Sequence, residues 1–88
     1  MSATHRIYVV VVSHGSDPDR LVAQFDRLLA QVDTIVWVDN ASLESLRQLL
    51  HRWSAQRVHA IWLSDNLGIG AAQNRGIEWA LTQGASHV

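Results

Sequence analysis

Apolar positions along the chain follow two rhythms, and the change from one to the other marks out the elements. Residues 7–12, IYVVVV, form a continuous and largely β-branched run, which suits a strand covered on both faces, as in a parallel sheet between helices. SHGSDPDR breaks the run: Gly15 permits a turn, Asp17 is placed to cap a helix, and Pro18 fits the first helical position. Leu21, Val22, Phe25, Leu28 and Leu29 then repeat at i, i+1, i+4, i+7 and i+8, a single helical stripe that predicts a helix over 18–31.

The same alternation recurs twice. TIVWVDN, residues 34–40, reads as a second strand ending on polar residues; Ser42 then offers a cap, and Leu43, Leu46, Leu50 and Trp53 line one face of a second helix. VHAIWL, residues 58–63, reads as a third strand, SDNLGIG as a loop, and AAQNRGIEWALTQ as a third helix with Gly84 as its stop. ASHV begins a fourth strand. Strands alternating with helices in this way build right-handed βαβ units, hence an α/β fold: a three-layer, Rossmann-like parallel sheet with helices on both faces. Ligands of such sheets bind beyond the carboxyl ends of the strands, so residues 13–16, 39–42 and 64–70 are the segments to examine for chemistry.

Composition narrows the classes. The 88 residues suffice for one small domain, and 48% hydrophobic with 17% charged residues indicates a packed chain. A net charge of -1, with seven scattered arginines and no lysine, gives no footprint for nucleic acid or an anionic membrane. Cysteine is absent, which excludes disulfides, thiolate nucleophiles and cysteine-ligated zinc. The apolar run at 7–12 is far shorter than the ~20 residues of a membrane span, so a soluble intracellular domain is expected.

Each candidate for chemistry has a plainer reading beside it. Gly68 and Gly70 follow a strand and open a helix, so backbone amides and the helix N-terminus there are placed to hold a phosphate oxygen. A dinucleotide fingerprint would place a third glycine at position 73, where Gln73 stands, and the glycines otherwise simply make the turn. Asp39 ends the second strand, where its carboxylate suits an acceptor for a ring N–H or a ribose hydroxyl; alternatively Asp39, Asn40 and Ser42 form an Asx turn. Ser13 and His14 are adjacent and project to opposite sides of an extended segment, so they do not form a nucleophile–base pair. His5, His51, His59 and His87 lack metal-ligand spacing, and Trp37, Trp53, Trp62 and Trp79 read first as packing. Ala71, Ala72, Gly76 and Ala80 would let the third helix lie close to the sheet.

Taken together, VVVVSHGSDPDRL, IVWVDNAS and NLGIGAAQNRGIEWALTQGASHV resemble, in order and spacing, the beginning of family-2 glycosyltransferases of the GT-A fold. The last segment looks most like the rhamnosyltransferase subgroup. The resemblance implies the N-terminal nucleotide-sugar-binding segment of a GT-A domain across residues 1–88, with sheet order 3-2-1-4. It implies that Ser13 and His14 border the base and ribose, and that Asp39 accepts from the pyrimidine. Asn66 and Gly68 would face the nucleotide, with Asn74 holding their loop or reaching the ligand. Threonine, an aromatic residue and asparagine usually stand where this chain has Ser13, His14 and Gly15.

The implied partners are a nucleotide-sugar donor, most simply dTDP-L-rhamnose, and a saccharide acceptor of a bacterial cell-surface polysaccharide, with no nucleic acid. The implied location is cytoplasmic, the inner face of the membrane included. The family's paired acids, which bind a divalent metal (Mg or Mn), and its general base follow the fourth strand. Val88 precedes both, so residues 1–88 are expected to hold no metal and no catalytic residue, to be inactive alone, and to self-associate through the edge left beside the first strand or through the uncovered sheet face. A dinucleotide-binding domain and a non-enzymatic α/β interaction module are the alternatives.

Overall fold

The computed structural model describes residues 6–15, 17–40 and 44–88. β1 (Tyr8–Ser13) starts one residue after the apolar run begins, because Ile7 takes part only in an isolated parallel bridge with His87. α1 (Pro18–Leu28) opens as its sequence dictates: Asp17 is extended, its side chain accepts from the Asp19 amide at 3.3 Å, and Pro18 takes the first turn. The helix stops short of the predicted residue 31. Arg57 donates to the carbonyl oxygens of Leu29, Val32 and Asp33 at 2.6, 3.0 and 2.8 Å, giving partners to carbonyls that a turn would otherwise leave to solvent.

β2 (Thr34–Asn40) is buried at every position and pairs in parallel with β1 on one side and β3 (Val58–Leu63) on the other. The strand order is β1-β2-β3. The Ile7–His87 bridge falls on the outer side of β1, where the Tyr8 amide donates to the His87 carbonyl at 2.9 Å. The sheet has three strands, and the bridge lies on the side of β1 where the expected 3-2-1-4 order would place a fourth. Full burial, expected of the valine run in β1, belongs to β2 instead; Val9, Val10, Val11 and Val12 are half-buried because their strand has a neighbour along its whole length on one side only.

Alternate residues of the strands feed two cores. Ile35, Trp37 and Val58 pack with Leu21, Phe25 and Leu46 on one face, while Tyr8, Val36 and Val38 pack with Ala72 and Ala80 on the other. Three tryptophans join the first core, with Trp37 edge-on to Phe25 at 5.3 Å, Trp53 at 5.1 Å from Phe25, and Trp62 at 4.8 Å from Trp37. They are packing residues, as the sequence favours.

The second helix differs from its prediction: residues Glu44–Arg52 form a 3-10 helix, and Trp53 lies just beyond it. Leu46, Leu49, Leu50 and Trp53 all meet the first core, so the face assigned to packing is kept although the winding is tighter. The expected cap Ser42, Leu43, and also His5 lie outside the described residues.

α2 (Ile69–Thr82) is bracketed by glycines at positive φ, Gly68 at 85° and Gly84 at 84°, conformations that favour glycine. Its small face works as predicted at Ala72, Gly76 and Ala80, all buried, while Ala71 is exposed. A Cβ on Gly76 would lie 2.5 Å from Val10 Cγ1 and 3.0 Å from Val38 Cγ2, so helix and sheet meet backbone to side chain.

Candidate functional site

Parallel pairing in register brings Ser13 beside Asp39 at the carboxyl ends of β1 and β2. Both side chains fall on the α1 face, the face of Trp37. The Ser13 hydroxyl donates to Asp39 Oδ1 at 2.7 Å and accepts from Trp37 Nε1 at 2.7 Å. This chain of indole, hydroxyl and carboxylate is buried, with Ser13 2% and Asp39 3% exposed. Ser13 thus has its proton committed to Asp39, and its role is to aim the carboxylate. Asp39 lies at the carboxyl end of β2, one residue before its last, and its side chain is covered rather than projecting freely into the crevice.

His14 and Asn40 fall on the opposite, α2 face. His14 Nδ1 meets the Asn40 carbonyl oxygen. A carbonyl has no proton to give, so Nδ1 carries the hydrogen and Nε2 of the neutral ring is left as an acceptor. Gly15, at φ 64°, turns the chain immediately afterwards.

Asn66 and Gly68 are brought to the same edge by Asn40. Asn40 Nδ2 donates to Asn66 Oδ1 at 2.7 Å, Asn40 Oδ1 accepts from the Leu67 amide at 2.9 Å, and Asn66 Oδ1 also accepts from the Gly68 amide at 2.9 Å. Gly68 is the N-cap of α2, which has no side-chain cap and no acid in its first turn. The helix thus opens with amide donors and a positive dipole end toward the loop. Gly70 is helical, so of the two glycines only Gly68 is required by the turn. Asn74 stands exposed on α2, apart from the Asn40 cluster.

Two groups at this edge were not singled out from sequence as site residues. Asn40 is one; its only local signal is an amide side chain ending a strand, since its partners lie 26 and 27 residues away. Arg75 is the other: it lines a hollow of about 300 Å³ with Trp62, Leu63, Ser64, Asp65 and Leu67, beside the loop that opens α2. Among seven scattered arginines, nothing local distinguished it.

A parallel α/β sheet whose polar groups converge on its carboxyl edge, next to a glycine turn opening a helix, has the architecture of a nucleotide-binding domain. The sequence signature of Glycosyl transferase family 2 matches residues 8–84, and the chain belongs to that family. Over 82 residues it is 35% identical to the dTDP-rhamnosyl transferase RfbF of Shigella flexneri, an alignment covering 93% of this chain and 27% of that relative. The chain therefore spans about a quarter of the relative's length. No solved structure matches it.

Proposed function

We propose that this chain forms the nucleotide-sugar-binding part of a bacterial rhamnosyltransferase, holding a dTDP-linked rhamnose for inverting transfer to a saccharide acceptor of a cell-surface polysaccharide. The observation that carries the reading is the convergence of the Ser13–Asp39 pair and the loop opening α2 on one sheet edge, in a member of Glycosyl transferase family 2. The choice of donor follows the Shigella relative, a dTDP-rhamnosyl transferase.

In this reading Asp39, aimed by Ser13, accepts from the pyrimidine N–H, and His14 borders the ribose with its Nε2 acceptor. The first amides of α2, beyond Gly68, face the diphosphate, where a helix N-terminus favours negative charge. Asn66 shapes that loop, and Asn74 stands one turn further along for the ligand's outer portion. Among the described residues no three His, Cys, Asp or Glu side chains are grouped to hold a metal. The magnesium or manganese expected for the diphosphate is assigned in this reading to acids elsewhere in the enzyme. No helix among the described residues is long and apolar enough to cross a membrane; the proposed place of work is the cytoplasmic face, where nucleotide sugars are at hand.

Titration with dTDP, followed by backbone amide shifts, tests the proposal. The amides of residues 13–15, 39–40 and 64–70 are expected to move together and saturate at millimolar ligand or below. If they stay still while shifts appear elsewhere or nowhere, the nucleotide reading is wrong.

A further inference from the structure

We infer that Asn40 is a positioning residue of this site: its buried side-chain amide holds the loop before α2 against the end of β2, beside the His14 contact on its backbone carbonyl, and so sets the shape that receives the nucleotide. The role assigned to that loop rests on the proposed function. Asn40 is 2% exposed, as covered as Ser13 and Asp39, and both ends of its side-chain amide are already engaged within the protein; with its backbone carbonyl it has three partners on two other segments. Its carbonyl receives His14 Nδ1; its side-chain amide donates to Asn66 Oδ1; its side-chain oxygen takes the Leu67 amide. A buried amide with donor and acceptor both used fixes its orientation as well as its place.

The pattern of donors determines which substitutions the frame accepts. Asn66 Oδ1 receives two hydrogens, one from Asn40 Nδ2 and one from the Gly68 amide. An aspartate at 66 would accept both equally well. An aspartate at 40 would set a carboxylate against Asn66 Oδ1, acceptor against acceptor. Turning the Asn66 amide over to offer its NH2 group would then oppose the Gly68 amide, donor against donor. Neither orientation satisfies both neighbours, so N40D breaks the frame where N66D preserves it, although the two changes exchange the same atoms and add the same charge.

The experiment is hydrogen exchange across residues 64–70 in the full-length protein, wild type, N40D and N66D, together with dTDP affinity and a thermal melt of each. Exchange at Leu67 and Gly68 is expected to rise roughly tenfold in N40D, as befits the loss of a net stabilising hydrogen bond, and to stay near wild type in N66D. dTDP affinity is expected to fall in both, through added charge near the diphosphate in N66D and through the same charge together with misplacement of the loop in N40D; raised salt relieves the loss in N66D and only part of it in N40D. Equal exchange in N40D and wild type, or equal loosening in N40D and N66D, overturns the frame. A looser loop in N40D with unchanged dTDP affinity overturns the positioning role. Failure of dTDP to slow exchange in the wild type refutes the nucleotide reading instead, and is seen before any variant is made. N40D melting so low that the sheet itself exchanges is met by N40S, which keeps an uncharged donor at 40 but is too short to span both partners, and is expected to loosen 64–70 alone.

Discussion

Replacing Gly76 with alanine separates helix propensity from packing. In an ordinary helix interior the change is favourable by ~1 kcal/mol, since alanine is the best helix former and glycine among the worst. Here the new Cβ would sit 2.5 Å from Val10 Cγ1, 3.0 Å from Val38 Cγ2 and 3.2 Å from Val10 Cγ2. Carbon atoms pack at ~3.5–4.0 Å, so the closest contact is short by about 1 Å. Neither valine yields easily, because both are β-branched and stiff at χ1, and Val38 is wholly buried in the central strand. α2 must instead lift from the sheet, loosening Ala72 and Ala80 from the core they share with Tyr8, Val36 and Val38. Overpacking of this kind costs ~1–3 kcal/mol, and with stiff neighbours the upper part applies. After subtracting the propensity gain, G76A should lose ~1–2 kcal/mol, a fall in Tm of roughly 5–15 °C for a domain of this size. Gly70 supplies the control, being helical with nothing within 4 Å of its Cβ position, so G70A should gain up to ~1 kcal/mol. Urea unfolding followed by tryptophan fluorescence measures both. A G76A protein as stable as G70A would refute the close approach of α2 to Val10.

Two further outcomes follow from groups named above. S13A removes the acceptor of the buried Trp37 Nε1 and the donor to Asp39 together, and should destabilise by ~1–3 kcal/mol in the same urea assay, whereas S13T keeps the hydroxyl and should recover part of the loss; equal midpoints for S13A and wild type would mean the relay is absent. Burial against Trp79, with ring centroids 3.7 Å apart, lowers the His59 pKa; the unfolded chain then binds the proton more readily than the folded one, so stability is full above the ordinary imidazole value of about 6.5 and declines as pH falls through it. Melting wild type and H59Q between pH 8 and about 5 should show the smaller decline in H59Q, and parallel curves would remove His59 as a cause.

Signals that act over a few residues were legible in the sequence. Asp17 before Pro18 capped α1, Gly68 and Gly84 bracketed α2, and the apolar runs located three strands within a residue of their ends. What was not legible depends on partners far along the chain. Arg57 satisfies carbonyls just after α1 that lie 24 to 28 residues earlier, and no local pattern around either segment reports it. The tight winding of Glu44–Arg52 has no local signal either, since leucines at the spacing of Leu46 and Leu49 suit an α-helix as well. At the site, the convergence of strand ends in a parallel sheet points to the segments 13–16, 39–42 and 64–70, while the roles of Ser13, His14, Asp39, Asn66, Gly68 and Asn74 toward a nucleotide come from the family resemblance. Asn40, beside Asp39 in the sequence, was passed over as a turn residue because an asparagine after a strand has a common local explanation.

That neighbouring pair shows how the fold divides the work of the site. Consecutive strand residues point to opposite faces, so Asp39 joins Trp37 and Ser13 on the α1 side while Asn40 turns toward His14 and the α2 loop. The carboxylate is held by a relay within two strands, whose positions are fixed by twelve register pairs across the sheet. The loop is held by a single amide. Disturbing the first should therefore lower global stability, as S13A is expected to do. Disturbing the second should loosen residues 64–70 with little effect on the sheet, because β2 keeps both neighbours whatever stands at position 40. A site built this way has a rigid acceptor and an adjustable wall, and the wall's freedom is governed by a residue that contributes almost no surface to the crevice.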